Sequence, residues 1–174
     1  YHDCIGAVEY AVARSRELGI DTCRISIGGD SSGGNLAIAT ALSPECRGSI
    51  ESLVVFYPVT KAFDDRSASW KAFGRGYALD ASLMKQFNRA YTSRIPSGTW
   101  QIDVGLAPDS VLEHLPRTLL VAAGRDILRD QGEEFASRVP LGRIQRIEFP
   151  GAVHLFITVP GQEAAFRSSV ALTA

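Results

Sequence analysis

The strongest chemical signal in this chain of 174 residues is a glycine-rich segment around one serine. Residues 28–34 read Gly-Gly-Asp-Ser-Ser-Gly-Gly, and within them Gly29 to Gly33 have the Gly-x-Ser-x-Gly spacing of a nucleophile elbow. A serine on a sharp strand-to-helix turn holds its hydroxyl clear of the backbone, near the positive end of the following helix. The pattern predicts Ser31 as a nucleophile. The alternative is a glycine-rich turn with a bystander serine.

A serine nucleophile needs a general base, and the chain has three histidines to offer. His2 begins a predicted surface helix and His114 lies in a polar stretch, so both are expected to be solvated or capping residues. His154 follows a predicted strand and a Pro-Gly turn, at the edge where open α/β sheets place their ligands. We therefore predict His154 as the base, the alternative being a loop histidine packed between apolar neighbours.

The base in turn needs a carboxylate to orient it. Asp126 directly follows a predicted strand, so it is expected at the same sheet edge as the serine and the histidine. Asp130 is better explained as a helix cap, and Glu133 and Glu134 as acidic residues in the first turn of that helix. Glu148 lies within a strand, too early to reach the loop layer. Asp126 is the predicted acid, unless it only closes a turn.

The elements that must position these residues are those of an α/β sheet. Apolar, β-rich runs cover residues 24–28, 53–57, 118–123 and 144–149. Helical patterns cover residues 1–18 (capped by Asp3), 32–42, 81–92, 131–139 and 162–172. Continuous apolar runs between helices favour parallel strands covered on both faces, whereas the alternating fourth run is typical of a strand nearer the sheet edge.

A long insertion separates the second and third strands. It covers residues 60–116, far more than an ordinary connection, and contains a helix over 81–92 that Asp80 is predicted to cap. Residues 61–100 hold seven of the fifteen aromatic residues of the chain: Phe63, Trp70, Phe73, Tyr77, Phe87, Tyr91 and Trp100. These rings are expected either to wall a substrate pocket or only to pack the inserted helix onto the sheet.

Composition limits the class of protein. With 45% hydrophobic residues and a net charge of −1, residues 1–174 fit one globular domain with no basic patch for nucleic acid. No apolar run reaches the 18 residues of a membrane span. Three cysteines (Cys4, Cys23 and Cys46) cannot all pair within the chain. We interpret them as free thiols, which favours a reducing compartment and hence a cytoplasmic location.

The chain order Ser31, Asp126, His154 is the order of α/β-hydrolase triads. Trypsin-like proteases carry a superficially similar Gly-Asp-Ser-Gly-Gly segment, but their histidine and aspartate precede the serine on an all-β scaffold. The sequence resembles the hormone-sensitive-lipase-like branch of the α/β-hydrolases, a group of carboxylesterases and lipases. The matching segments are Gly-Asp-Ser-Ser-Gly-Gly-Asn-Leu-Ala at 29–37, Tyr-Pro-Val at 57–59, Asp-Ile-Leu-Arg-Asp at 126–130, and 150–156 against Gly-x-x-His-x-Phe.

The resemblance implies a partial α/β-hydrolase fold, with about four of the usual eight strands. It implies Ser31 as nucleophile, Asp126 as acid and His154 as base, with the backbone N–H of Ser32 as an oxyanion donor. The implied reaction is hydrolysis of carboxylic esters through an acyl-enzyme, without a metal or an organic cofactor. An insertion of this length suits small to medium acyl esters better than long triglycerides. This chain departs from the branch at two positions. Ile127 replaces the usual proline, and Ser32 replaces the usual alanine.

One departure is larger. The branch carries a His-Gly-Gly-Gly stretch roughly seventy residues ahead of its nucleophile, and its backbone amides complete the oxyanion hole. Only thirty residues precede Ser31, and the chain contains no His-Gly-Gly. The chain therefore resembles the carboxyl-terminal portion of a longer hydrolase, in which the first strand is left as an open edge for a homodimer or other association. The alternatives to an esterase are a non-catalytic fragment and a ligand-binding relative; the presence of His154 favours the enzyme.

Overall fold

The protein is described by a computed structural model that covers residues 1–62, 64–96 and 98–173. Within these residues four strands form a single sheet in the spatial order β1-β2-β3-β4, and every neighbouring pair is parallel. The strands are β1 (Ser26–Asp30), β2 (Ser52–Phe56), β3 (Arg117–Arg125) and β4 (Ile144–Val153). The predicted parallel α/β architecture is confirmed, with β1 and β4 at the two edges.

Helices surround the sheet and connect its strands. In the described residues the α-helices are α1 (His2–Ala13), α2 (Ser15–Leu18), α3 (Ser31–Leu42), α4 (Ala68–Phe73), α5 (Ala81–Thr92), α6 (Asp109–Leu112), α7 (Arg129–Arg138) and α8 (Glu163–Thr173). Short 3₁₀ turns lie at Pro44–Cys46 and Val104–Leu106. The helix predicted over 1–18 is in fact two helices, because Arg14 leaves the helical backbone at φ −103° and ψ 17°. Tyr1, not Asp3, is the N-cap of α1.

One face of the sheet carries the main core. Leu53 and Val55 of β2 and Leu120 of β3 are fully buried on this face. They pack in one cluster with Ile38 of α3 and Phe135 of α7, so helices on this side cover the sheet. Burial of each such side chain contributes on the order of 2 kcal/mol. This core fixes the sheet on which the functional loops stand.

The opposite face is only partly covered, and here the expectation of strands buried on both faces is wrong for β2. Its residues alternate between buried and half-buried, with Val54 and Phe56 on the half-buried side. Phe56 packs in a smaller cluster with Val121 and Phe156, to which α8 adds Ala165. The apolar run therefore reflects one buried and one half-covered face, a difference that composition alone does not show.

The insertion between β2 and β3 is tied to the core by buried polar contacts. The side-chain oxygen of Gln131, on α7, accepts hydrogen bonds from the backbone amides of Thr60 (2.7 Å) and Lys61 (2.8 Å). Asn88 of α5 donates to the carbonyl of Ala62, and Asp103 accepts from the amide of Ala62. These contacts fix the start of the inserted segment to α7, to α5 and to Asp103, and residues of α5 lie beside Ser31 and His154.

Two capping expectations need correction. Asp80 is the N-cap residue of α5 as predicted, but its carboxylate makes no capping hydrogen bond to the helix and instead accepts from the amide of Gly76 (2.8 Å). Asp130 lies in the first turn of α7, whose N-cap is Leu128.

None of the helices in the described part of the chain combines the length and apolar character needed to cross a lipid bilayer.

Candidate active site

Ser31 lies at the junction of β1 and α3, with its backbone at φ +52°. A non-glycine residue in this left-handed region is strained, and such strain is typical of a nucleophile at a sharp turn. A Cβ on Gly29 would lie 2.4 Å from the backbone of Gly33, and a Cβ on Gly34 would lie 2.9 Å from Pro58. A Cβ on Gly33 would meet nothing within 4 Å. Strand β1 and helix α3 can approach each other this closely only with glycine at positions 29 and 34. Gly33, the second glycine of the motif, has room for a side chain.

Asp126 and His154 leave the sheet side by side. Strands β3 and β4 end with Arg125 paired to Val153, after an irregularity in the register. Across that irregularity a Cβ on Gly124 would lie 2.6 Å from the backbone of Pro150, so only glycine fits. The expected Pro-Gly turn ahead of His154 is therefore not a turn, because residues 150 and 151 belong to β4.

The three sequence-predicted side chains form a continuous hydrogen-bonded relay. His154 Nε2 lies 2.9 Å from Ser31 Oγ, and His154 Nδ1 lies 2.7 Å from Asp126 Oδ2. His154 and Asp126 are 2% and 1% exposed, so water does not compete for their contact. The other carboxylate oxygen of Asp126 accepts from the amide of Leu128 at 2.9 Å. The carboxylate is thus held from both sides, and the imidazole can pass a proton between the serine and a reacting group.

Two residues next to the relay hold it in place. Leu155 follows His154 with φ +61°, which turns the chain sharply after the histidine. The ring of Tyr57 packs on the imidazole of His154 with 4.7 Å between ring centroids. Burial raises the pKa of the Tyr57 hydroxyl well above its ordinary value, and the nearby carboxylate of Asp30 adds to the effect. That hydroxyl stays protonated at any pH at which the relay would act.

The proposed nucleophile, Ser31, is the first residue of α3 and lies at the amino-terminal end of this helix. Ser32 is the second residue of this helix, and the first four amides of a helix have no partner within it. These amides lie at the positive end of the helix dipole, which favours a developing negative charge. The role of Ser32 as an oxyanion donor stays a prediction, and its position at the start of α3 is compatible with it. His2 and His114 are both exposed and lie outside the relay.

A cavity of about 740 Å³ opens beside Ser31 and His154. Its wall includes Leu83, Met84, Phe87 and Tyr91 of α5, and among the described residues that line it none is acidic and none is a lysine or arginine. A volume of this size is in the range of small-molecule sites. The chemistry of the wall suits an uncharged, largely apolar ligand.

The aromatic residues of the insertion divide between the two expected roles. Phe87 and Tyr91 line the cavity. Trp70 and Phe73 instead pack in a cluster with Ile127 and Leu128, next to Asp126. Trp100 packs against the main core and Tyr77 against Phe73, and Phe63 lies outside the described residues.

Two polar residues support the site in ways that the sequence did not indicate. Asn35 of α3 is buried and donates to the carbonyls of Val59 (2.8 Å) and Ile102 (2.7 Å), which joins the elbow to the backbone before α4 and after α5. Asp130 accepts from the amide of Ser69 (2.7 Å) and pairs with Arg129. An asparagine inside a helix of small apolar residues is the signal that could have marked Asn35.

The pKa of Asp130 is lowered by these contacts. Burial alone would raise it, but the hydrogen bond from the Ser69 amide and the charge of Arg129 outweigh that effect.

Among the described residues no group of His, Cys, Asp and Glu is arranged to hold a metal ion, and Cys4, Cys23 and Cys46 are free. The groups that meet at the site are the Ser31 hydroxyl, the His154 imidazole and the Asp126 carboxylate.

The chain is similar to several esterases of known sequence. It is 32% identical over 163 residues to an arylesterase of Saccharolobus solfataricus, an alignment that covers 91% of this chain and 53% of that protein. It is also 32% identical over 162 residues to an ethyl acetate hydrolase of Pseudomonas putida, covering 89% and 50%. The chain thus spans about half the length of the curated relatives it matches.

Solved structures show the same architecture. Carboxyl esterase 2 of Tuber melanosporum superposes with a TM-score of 0.83 at 28% identity, covering 98% of this chain and 57% of that one. A thermostable esterase of Pseudomonas putida superposes with a TM-score of 0.84 at 27% identity, covering 97% and 56%. The sequence profile of a family described as having the alpha/beta hydrolase fold matches residues 1–158. This protein is therefore a member of the alpha/beta hydrolase fold family.

Proposed function

We propose that the protein is a serine carboxylesterase in which Ser31 is the nucleophile, His154 the general base and Asp126 the orienting acid. The single observation that carries this proposal is the relay of 2.9 Å and 2.7 Å contacts from the serine through the histidine to the aspartate. The names of the relatives, arylesterase and ethyl acetate hydrolase, point to the same reaction class.

The reaction follows from the positions of the proton-carrying atoms. Ser31 Oγ attacks the ester carbonyl while its proton passes to His154 Nε2, and Asp126 stabilises the imidazolium that forms. The Ser32 N–H donates to the oxyanion of the tetrahedral intermediate. That intermediate collapses as the C–O bond to the alcohol breaks, and the alcohol takes the proton from Nε2. Water, activated by His154, then attacks the acyl group on Ser31, which releases the carboxylic acid and restores the serine.

The cavity supports a substrate class of small to medium acyl esters without charge. Its lining is apolar apart from a few groups such as Asn35 and Asn88, so a charged acid or alcohol would lose its hydration without a partner. Apolar acyl groups would instead gain contact with Leu83 and Phe87 of α5. We therefore expect the side chains of α5 to determine the size of ester that the cavity accepts.

The oxyanion hole is expected to be incomplete within these 174 residues. Ser32 supplies one donor, and the chain has no His-Gly-Gly segment to supply more. Each missing donor typically costs about 10²–10³ in rate. Phosphonylation of Ser31 by a fluorophosphonate forms one Oγ–P bond, expels fluoride and needs no deacylation step, so labelling is a more sensitive sign of an assembled relay than turnover of an ester.

The test is labelling of the chain with a fluorophosphonate probe, together with hydrolysis of a series of p-nitrophenyl esters from acetate to octanoate. Attachment at Ser31, located by peptide mass spectrometry and lost in both Ser31→Ala and His154→Ala, would support the proposal. Tight binding of esters without labelling or turnover would favour the ligand-binding alternative. Labelling that appears only in a longer chain would favour the non-catalytic fragment.

We also propose association through the edge of the sheet at β1. One side of this strand pairs with β2, while Ser26 and Gly28 are exposed. A second copy could add a strand there, because an edge strand offers unpaired N–H and C=O groups. Sedimentation velocity over a range of protein concentrations tests this, and a monomer at all of them would contradict it.

A further inference from the structure

Backbone strain in the described residues is concentrated around the proposed active site. The non-glycine residues there with positive φ are Ser31, Tyr57, Ala78 and Leu155. Such conformations cost about 1–3 kcal/mol each and persist where the surrounding structure enforces them, often at functional sites. Ser31, Ala78 and Leu155 all line the cavity. Tyr57 is different, because it is only 2% exposed and lies outside the lining, so its strain needs another explanation.

The strained backbone of Tyr57 places its ring against His154. Tyr57 follows the end of β2 at φ +34°, and its amide donates to the carbonyl of Val121 at 2.7 Å. The ring then lies 4.7 Å, centroid to centroid, from the imidazole of His154, with 56° between the ring planes. The ring also lies 5.4 Å from that of Phe156, edge-on, and 6.3 Å from that of Phe56. Tyr57 thus joins the imidazole to the aromatic cluster of which it is a member.

In the proposed reaction the imidazole becomes positively charged when it takes the proton of Ser31. This charge forms on a side chain that is 2% exposed, where water cannot solvate it. Asp126 compensates from the Nδ1 side. An aromatic ring within about 6 Å of a cation attracts it through the ring quadrupole, most strongly when both are desolvated. Tyr57 meets that distance condition.

The hydroxyl of Tyr57 is not the group that matters in this arrangement. It is buried beside the amide of Ile157 and the carboxylate of Asp30, yet it makes no hydrogen bond of good geometry with any described residue. It also cannot exchange a proton with His154, because it is held in its neutral form by burial. Any contribution to the reaction must come from the ring.

Resting on the proposed function, we propose that Tyr57 is a positioning residue whose aromatic ring packs on His154 and stabilises the imidazolium formed during acyl transfer. The ring acts through His154 and touches no substrate atom. Because the charge exists only in the transition states and intermediates, the contribution falls on kcat and leaves substrate binding almost unchanged.

The experiment measures kcat and KM for p-nitrophenyl acetate, and the rate of phosphonate labelling at Ser31, in the full chain and three variants. Tyr57→Leu removes the ring, Tyr57→Phe keeps it and removes the hydroxyl, and Phe149→Leu removes a ring of the same cluster that does not contact His154. We expect Tyr57→Leu to lower kcat about fivefold to thirtyfold with KM within about twofold. Tyr57→Phe and Phe149→Leu should both stay within about threefold of the parent.

The proposal is overturned if Tyr57→Leu is no slower than Phe149→Leu, or if Tyr57→Phe is as slow as Tyr57→Leu. Should Tyr57→Leu fail to fold, phenylalanine and 3,4,5-trifluorophenylalanine at position 57 give the same decision, because fluorine weakens the quadrupole and preserves the shape. Equal kcat for these two rings overturns the proposal. If the parent chain shows neither turnover nor labelling, it is the proposed esterase function that fails.

Discussion

Arg125 and Val153 are the last paired residues of strands β3 and β4, and the next residue of each chain segment belongs to the proposed relay. Asp126 and His154 therefore meet because two parallel strands end at the same level, and not because a flexible loop carries one to the other. Their 2.7 Å contact is buried on a rigid support.

This relationship makes Asp126 the sharpest target for mutation. Asp126→Asn keeps the shape of the side chain but offers no charge to the imidazolium, and it favours the wrong tautomer of His154. We expect kcat for p-nitrophenyl acetate to fall by about 10³–10⁴. Asp130→Asn is the matched control, since this carboxylate contacts Ser69 and Arg129 and not the histidine. Equal activity of the two variants would contradict the role given to Asp126.

The elbow glycines give a prediction on stability. Alanine at position 29 would place a methyl group 2.4 Å from the backbone of residue 33, so Gly29→Ala should lower the free energy of unfolding by about 1–3 kcal/mol or more. Gly33→Ala has open space around the new methyl group and lies in α3, so it should be neutral or stabilising by up to about 1 kcal/mol. Urea denaturation of both variants measures their free energies of unfolding. A Gly33→Ala variant less stable than Gly29→Ala would contradict this prediction.

Asn35 is expected to hold the insertion on the elbow. Asn35→Ala removes two hydrogen bonds and leaves the carbonyls of Val59 and Ile102 without their partner, at a cost of about 2–4 kcal/mol. Thr40→Val, on the same helix, replaces a buried hydroxyl that has no hydrogen-bond partner among the described residues. That variant should be neutral or more stable. A melting temperature of Asn35→Ala at or above that of Thr40→Val would argue against the anchoring role.

Asp130 should make the free energy of unfolding depend on pH in the acidic range. Its pKa is lower in the folded protein than its ordinary value of 3.8, so the carboxylate contributes stability above that pH and loses it as the pH falls through the folded pKa. Asp130→Asn should therefore be less stable than the parent by about 1 kcal/mol at neutral pH. Denaturation series from pH 7 downward should show this gap closing only below about pH 4. A gap independent of pH would contradict the assignment.

Selectivity for the acyl group should depend on α5. Phe87→Ala removes a half-exposed ring from the cavity wall, so kcat/KM for p-nitrophenyl hexanoate should fall about fivefold or more relative to that for acetate. Phe166→Ala removes an exposed ring of similar accessibility from α8, outside the cavity, and should leave the ratio unchanged. If the ratio of kcat/KM for hexanoate to that for acetate changes equally in both variants, α5 does not determine acyl selectivity.

Much of this arrangement is predictable from the sequence because local chemistry and topology agree. The glycines around Ser31 mark a strand-to-helix turn, and apolar runs that end just before Asp126 mark the carboxyl edge of a parallel sheet. The helix over 81–92 begins and ends where its pattern predicts. These features depend on neighbours in the chain, which the sequence displays directly.

Other features depend on contacts between distant residues and were missed for that reason. The Pro-Gly pair at 150–151 is typical of a turn, but pairing of β4 with β3 keeps it in the strand and packs Pro150 on Gly124. Tyr57 and Asn35 belong to apolar runs, and only the folded chain shows that one contacts His154 and the other joins three segments. No local pattern records which distant residue a buried side chain will touch.

The division of labour between α5 and the sheet edge has a practical meaning for engineering. Helix α5 supplies much of the cavity wall but none of the atoms in the proton relay. A combinatorial library confined to this helix would sample new ester preferences while the reactive machinery stays untouched, so variants would differ in what they accept and not in whether they can react.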